Sequence, residues 1–259
     1  MSRPWVLISG ASSGFGEATA KLLASKGWNL LLTSRREERL HSVAKACVAL
    51  GAEVHVQTWD VRDREATDLG VRDLMKTAGI SAEEGGTALA ALVNNAGLAV
   101  GKGPFDRGHD DDWDRMLDTN VKGLLFLARA CVAYMQPGSR MVNMGSIAGK
   151  QVYPGGNVYC ASKHAVDALS QAMRIDLVDR GIGVSQICPG AAETEFSLIR
   201  FKGDQEAAAA VYQGFDPLAA EDIAEAIYFV LSRPAHVCIN DMVIMPTAQA
   251  SANHLHRKS

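Results

Sequence analysis

Tyr159 and Lys163 stand four residues apart in the run Tyr159-Cys160-Ala161-Ser162-Lys163. Apolar spacing from Ala165-Val166 to Leu177-Val178 predicts a helix, which sets the two side chains on one face. A free phenol, with a pKa near ~10, shuttles protons poorly at neutral pH. An ammonium one turn away favours the phenolate and is expected to lower that pKa, making Tyr159 a candidate general acid or base. A Tyr and a Lys at this spacing also occur as a plain surface contact, so the pair needs company. Ser146 closes the apolar run Arg140-Met141-Val142-Asn143-Met144-Gly145. Its hydroxyl suits either a turn or a grip on a substrate oxygen while Tyr159 moves a proton. Asn120 lies among Val121, Leu124, Leu125 and Leu127, is expected to be buried, and therefore needs hydrogen-bond partners.

A second constellation lies at the N-terminus. The apolar run Trp5-Val6-Leu7-Ile8-Ser9 leads into Gly10-Ala11-Ser12-Ser13-Gly14-Phe15-Gly16 and then a helical pattern from Glu17 to Lys26. Strand, glycine loop and helix form the context of a dinucleotide-binding turn. The glycines let backbone approach a pyrophosphate, and the helix start offers free N–H groups. The spacing is GxxxGxG rather than GxGxxG, and a tight turn without ligand is the other reading.

The second strand, Trp28 to Thr33, ends in Ser34-Arg35-Arg36, where an NAD site would place Asp or Glu. A guanidinium binds a 2′-phosphate bidentately, so NADP(H) is the expected cofactor. The alternative is that Arg35 and Arg36 open a solvated helix. Asp60-Val61 closes the alternating run Val54 to Trp59, and Asp60 is expected near an adenine, as the N-cap of the next helix, or both. Asn94-Asn95-Ala96-Gly97 follows the fourth strand; its amides can pin backbone and Gly97 can turn the chain under a ligand, or the run is an ordinary Asn-rich turn. After the strand Gly183 to Cys188 come Pro189-Gly190, Ala191-Ala192-Glu193-Thr194-Glu195-Phe196 and Arg200-Phe201-Lys202-Gly203-Asp204. This long irregular segment is an expected substrate lid. Arg200 or Lys202 would meet an anionic substrate group, or both remain solvated.

The elements that must position these groups follow from the whole chain. Its 259 residues, 47% hydrophobic and 21% charged, suit one folded α/β domain and exclude disorder. A net charge of −3 gives no basic excess for nucleic acid, and no apolar run is long enough to span a bilayer. Met1-Ser2-Arg3-Pro4-Trp5 lacks the pattern of a signal peptide. Cys47, Cys131, Cys160, Cys188 and Cys238 are scattered without a CxxC, as reduced thiols of a cytoplasmic protein would be. Cys160 reads as a packing residue. His254 and His256 lack a third ligand, so no metal site is expected. Asp110-Asp111-Asp112 suits the first turn of a helix running to about Met135. Gly79 to Thr87 reads as a surface loop. Strands alternate with helices throughout, which predicts a single-domain α/β fold: a Rossmann-type doubly wound parallel sheet of about seven strands with helices on both faces. The domain would span 1–259, with a cofactor-binding part to about 150 and the catalytic helix and lid over about 151–215.

Taken in order, these motifs resemble the short-chain dehydrogenase/reductase family over nearly the whole chain. Gly10-x-x-x-Gly14-x-Gly16 looks like its cofactor loop, with Ser9 keeping a hydroxyl where Thr is usual. Asn94-Asn95-Ala96-Gly97 resembles its sheet-stabilising motif, and Asn120, Ser146, Tyr159 and Lys163 match its catalytic tetrad. Pro189-Gly190 with Thr194 looks like the segment that meets the nicotinamide carboxamide. The resemblance implies that Lys163 also holds the nicotinamide ribose and that Asn120 holds a water for proton relay. It implies further cofactor contacts from Ser12, Ser13, Phe15, Val61, Ala96 and Ala192.

A finer resemblance, to NADP-dependent 3-hydroxy acid dehydrogenases acting on serine and allo-threonine, rests on five stretches. They are Gly14-Phe15-Gly16-Glu17, Gly155-Gly156-Asn157-Val158-Tyr159, Thr194-Glu195-Phe196-Ser197, Arg200-Phe201-Lys202-Gly203-Asp204 and Pro234-Ala235-His236-Val237. The stretch around Gly79 to Thr87 is longer than that subgroup leads one to expect. The implied substrate is a small anionic hydroxy acid or carbonyl compound. Reduction of sulfoacetaldehyde or of 3-oxoacyl thioesters is the alternative, and a non-catalytic NADP(H) sensor is a third. A homotetramer pairing the helices of Asn120 and Tyr159 is also implied.

Overall fold

Seven short apolar runs become seven parallel strands of one sheet, ordered β3-β2-β1-β4-β5-β6-β7. The computed structural model describes residues 3–83 and 85–258; the Met1-Ser2 start, Glu84 of the 79–87 loop and Ser259 lie outside the described residues. The strands are β1 (Trp5–Ser9), β2 (Asn29–Ser34), β3 (Val54–Thr58), β4 (Leu89–Asn94), β5 (Arg140–Met144), β6 (Gly183–Pro189) and β7 (Asp241–Ile244). Central strands carry near-continuous apolar residues because helices cover both faces of the sheet. Alternate side chains of one strand therefore enter different cores. Val6 and Ile8 pack with Leu23, Leu40 and Ile227 on one face. Leu7 packs with Leu74, Leu92 and Leu127 on the other. The covering helices are α1 (Gly14–Ser25), α2 (Glu37–Ala49) and α9 (Ala220–Leu231) on the first face, and α3 (Arg64–Thr77), α5 (Leu124–Val132) and α6 (Asn157–Leu177) on the second.

The strand order reverses between β1 and β4, since the chain runs outward from β1 through β2 and β3 before crossing back. At such a switch point the carboxyl ends of the strands open a crevice that suits a ligand. Ser9, Asn94, Met144 and Pro189 end β1, β4, β5 and β6 and so border that crevice.

Three local expectations are corrected. The helix predicted from Asp110 to about Met135 is interrupted: α4 (Asp110–Leu117) passes through a π-helical turn, Asp118–Gly123, before α5. The turn ends on Gly123, which packs against Val61 where a Cβ would stand 2.8 Å from Cγ2. The N-cap of α3 is Asp63, which accepts from Ala66 N at 3.0 Å, and not Asp60. The segment expected to be irregular contains two short helices, α7 (Phe196–Arg200) and α8 (Gln205–Ala210). The helix of Tyr159 does end as its sequence predicts, through a 3₁₀ turn at Val178–Arg180 to Gly181 at φ 64°.

Candidate active site

The turn after β1 is built by contacts to the end of β4. Ser9 Oγ accepts from Asn95 N at 3.0 Å and from Ala96 N at 2.9 Å, while Asn95 Nδ2 donates to Ser9 O at 2.9 Å. Gly10 adopts φ +65°, and a Cβ on it would stand 2.9 Å from Asn95 Nδ2. At Gly16 a Cβ would lie 2.4 Å from Gly10 O, so only glycine lets α1 start this close to the loop. The result is bare backbone at a helix N-terminus, which suits a pyrophosphate. Gly16 is buried beneath the loop and does not face the cleft. Asn94 is also buried, its amide donating to Leu124 O at 2.9 Å; it supports the sheet edge, and Asn95, Ala96 and Gly97 line the cleft in its place.

That cleft, of about 280 Å³, runs from Ser12, Ser13, Gly14 and Phe15 past Asp60 and Val61 to Tyr159 and Lys163. At its outer end Arg36 Nε donates to Ser12 Oγ at 3.1 Å, Nη2 donates to Ser13 Oγ, and Nη1 meets Glu195 at 2.8 Å. Arg35 turns to Asp60 at 3.6 Å, and Asp60 also takes Arg62 at 2.7 Å. These arginine contacts outweigh the partial burial of Asp60 and hold its carboxyl below the ordinary range. Two guanidinium groups, and no carboxylate within the Ser34-Arg35-Arg36 turn itself, suit a 2′-phosphate better than a free ribose diol.

At the inner end, Asn120 sits in the π turn, a form common at functional sites. Its Oδ1 accepts from Leu98 N at 2.8 Å, and its Nδ2 donates to Leu98 O at 2.8 Å and Ser162 Oγ at 3.0 Å. Lys163 Nζ donates to Met144 O at 2.8 Å, and a Cβ on Gly97 would lie 3.2 Å from Asn120 Oδ1 and 3.6 Å from Nζ. Burial pushes the Lys163 ammonium down to about 8. Burial also raises the Tyr159 phenol above its ordinary range, with the nearby Tyr153 adding to the rise and the Ser146 hydroxyl and Arg200 drawing it back. The expectation of a lowered tyrosine pKa is thus reversed: both members of the pair are buried in the cleft wall, where each charged form is disfavoured. Ser146 caps a 3₁₀ turn, its Oγ accepting from Ala148 N at 3.1 Å, which leaves the hydroxyl hydrogen free to donate elsewhere.

Tyr159 also lines a second pocket, of about 300 Å³, with Ser146, Tyr153, Phe196, Arg200 and Tyr212. The phenol therefore stands where a nucleotide cleft and a separate small pocket meet. A model of the short chain dehydrogenase family matches residues 4–203. The chain belongs to that family. It is 43% identical to sulfoacetaldehyde reductase 2 of Chromohalobacter salexigens, over 95% of each chain. It is 40% identical to an NADP-dependent 3-hydroxy acid dehydrogenase of Salmonella typhi, over 97% of this chain and 99% of that one. Among solved structures it resembles the closed form of serine dehydrogenase complexed with NADP+, with a TM-score of 0.84 and 37% identity over 98% and 100% of the two chains.

Within this short chain dehydrogenase fold the two lid cations part company. Arg200 Nη1 donates to Tyr153 OH at 2.6 Å, and its guanidinium lies 5.5 Å from the Tyr159 ring centre. Arg200 Nε and Nη2 are buried without a hydrogen-bond partner among the described residues. Lys202 is half exposed, pairs with Asp112 at 2.7 Å and lies outside the pocket of Tyr159. Pro189, Gly190 and Ala192 line the second pocket and not the nucleotide cleft; Thr194 borders both.

Sequence reasoning missed Tyr153, Arg39, Glu195 and the C-terminal tail. Arg39 Nη1 meets Glu195 at 2.5 Å. Gln249 Oε1 accepts from Ala191 N at 2.8 Å, and Asn253 Nδ2 donates to Val152 O at 2.9 Å, which folds the tail into the pocket wall. The three acceptor carbonyls of Arg257, on Ala210, Val211 and Gln213, tie the tail to the end of the lid. A polar tail carries no periodicity that would have announced this.

Proposed function

We propose that the chain is an NADP(H)-dependent oxidoreductase that interconverts the β-hydroxyl and carbonyl of small 3-hydroxy acids, of the serine, allo-threonine or 3-hydroxypropionate type. The observation that carries this is the shared position of Tyr159, which borders both the nucleotide cleft and the pocket of Ser146 and Arg200. The nicotinamide, when bound, supplies or accepts the hydride. Gly10, Ser12, Ser13, Gly14 and Phe15 cradle the pyrophosphate side, Arg36 with Arg35 takes the 2′-phosphate, and Asp60 and Val61 border the adenine. The nucleotide part would span about 1–150 and the catalytic helix and lid about 151–215, with the tail closing the second pocket.

Ser146 donates to the substrate oxygen and Tyr159 moves its proton. In the reductive direction a phenol that keeps its proton is the form required, as burial favours. In the oxidative direction Ser146 and Arg200 offset part of that burial by stabilising the phenolate. Lys163, poised at about 8, is suited to relay a proton near neutral pH, with Asn120 shaping the passage above Gly97. The buried Nε and Nη2 of Arg200 offer the parallel donors that a planar carboxylate accepts.

Steady-state kinetics on serine, 3-hydroxybutyrate, 3-hydroxypropionate and sulfoacetaldehyde, with NADPH or NADP+ and with NADH or NAD+, test the reading. A kcat/KM for a 3-hydroxy acid above that for sulfoacetaldehyde supports it. The converse favours a second reading, a reductase of sulfoacetaldehyde, which the 43% identity to such an enzyme supports. Ile175 and Val178, 74% and 66% exposed at the end of the Tyr159 helix, support a homotetramer, and light scattering would give its mass. Among the described residues no helix is long and apolar enough to cross a membrane, which fits the cytoplasmic location proposed here.

A further inference from the structure

Glu195 joins two parts of the molecule that the sequence keeps far apart. It is the N-cap residue of α7, at the start of the lid. One carboxylate oxygen meets Arg36 Nη1 at 2.8 Å and the other meets Arg39 Nη1 at 2.5 Å, so the side chain bridges both guanidinium groups. Arg36 Nε and Nη2 donate to Ser12 and Ser13. Arg36 is thus ringed by the glycine loop on one side and the lid on the other.

The neighbouring lid residues follow the cleft inward. A Cβ on Gly14 would lie 3.5 Å from Thr194 Cβ, and Phe196 packs against the Tyr159 ring at 5.6 Å. Three consecutive residues therefore span from the outer arginines to the proton-moving phenol. A half-exposed carboxylate holding two half-exposed arginines makes a weak, easily exchanged pair. A phosphate monoester carries more charge and three acceptor oxygens, and it displaces such a carboxylate.

We infer that Glu195 occupies Arg36, one of the two arginines assigned to the 2′-phosphate, and competes with that phosphate for it, so that Glu195 is a specificity-determining residue. A 2′-phosphate releases the lid from Arg36 and Arg39, whereas a 2′-hydroxyl leaves the bridge in place. The inference rests on the NADP(H) reading, and it predicts that the wild-type preference for the phosphorylated cofactor is smaller than its arginines alone would give.

Binding, rather than turnover, tests it. NADPH and NADH are titrated by nicotinamide fluorescence, and 2′,5′-ADP and 5′-AMP by calorimetry, on wild type, Glu195→Gln and Arg36→Ala. Glu195→Gln is expected to tighten NADPH and 2′,5′-ADP by about threefold to tenfold, and to leave NADH and 5′-AMP within about twofold. The gain shrinks as salt rises, because the competing pair is screened. Equal shifts for both cofactors, or no shift for either, overturn the inference and leave Glu195 a support of the lid. Arg36→Ala separates this from the cofactor assignment. If that variant keeps the wild-type ratio of NADPH to NADH affinity, the NADP(H) reading itself fails. If the ratio drops while Glu195→Gln does nothing, only the competition fails.

Discussion

The nucleotide cleft and the pocket beside it are assembled from different kinds of segment. The cleft takes much of its wall from turns at strand ends: Gly10 to Phe15 from β1 into α1, Ser34 to Arg36 from β2 into α2, and Asn95 to Leu98 after β4, with Tyr159 and Lys163 of α6 and Thr194 to Phe196 of the lid completing it. The second pocket gathers Ser146 after β5, Tyr153 ahead of α6, Arg200 from α7, Tyr212 beyond α8, and Gln249 and Asn253 from the tail. A local turn is fixed by the conformations its own residues allow, as the left-handed Gly10 and Gly14 show. A wall made of distant segments is fixed only once they have packed. The turns of the first can stay constant while the second is rebuilt, and Tyr159 lines both.

Removing the Tyr159 phenol oxygen has the largest expected effect. Tyr159→Phe should lower kcat by about a thousandfold, within the range expected for loss of a positioned proton donor. NADPH binding, followed by fluorescence, should be unchanged, since the phenyl ring still walls the cleft. A variant with wild-type turnover would remove Tyr159 from the mechanism. Next in size is Arg200→Met, which should raise KM for an anionic substrate by about tenfold to a hundredfold, the value of a charge-assisted hydrogen-bonded contact. KM for NADPH should not move. A joint rise of both constants would mean that the two pockets are not separable.

Burial of Lys163 in the cleft wall shows in the protein's stability. Its ordinary pKa is 10.5 and its folded one about 8, so below pH 8 the folded protein bears the full penalty of a buried ammonium. Between about 8 and 10.5 the unfolded chain holds more protons than the folded one, and stability therefore rises with pH. Tyr159 acts in the opposite sense above its ordinary pKa of 10.0, because the folded phenol keeps a proton that the unfolded one loses. Subtracting Lys163→Met from wild type isolates the lysine. Urea unfolding should show Lys163→Met more stable by roughly 1–3 kcal/mol at pH 7.5, with the gap closing towards pH 10. A gap independent of pH would place the ammonium in a solvated setting.

Much of the fold was readable because a parallel sheet covered on both faces writes itself as unbroken apolar runs, such as Leu30 to Leu32. The glycine loop and the Tyr159 helix were readable for the same local reasons. Other features depended on distance in space. Nothing in the spacing of Asp118 to Gly123 distinguishes a π turn from an α turn. The direction of the Tyr159 pKa depends on burial depth, which the Tyr-Lys spacing does not report. The bridge of Glu195 to Arg36 and Arg39 joins residues 159 and 156 positions apart.

Lys202 gives the smallest expected effect. From sequence it stood level with Arg200 as a grip for an anion. In the structure it follows α7 in the left-handed region, at φ 54°, the sole non-glycine residue there among the described residues. Its side chain pairs with Asp112 at 2.7 Å, outside the pocket of Tyr159. Two substitutions separate charge from backbone. Lys202→Met removes a half-exposed ion pair and should change stability by less than about 1 kcal/mol. Lys202→Gly removes the same pair but relieves a conformation that disfavours any side chain, and should be more stable than Lys202→Met by about 1 kcal/mol. Substrate KM should stay within about twofold of wild type in both, as expected for an exposed pair outside the pocket. A large KM rise shared by both variants would put the ammonium back in the substrate pocket, and would show that the lid grips its anion with two cations and not with Arg200 alone.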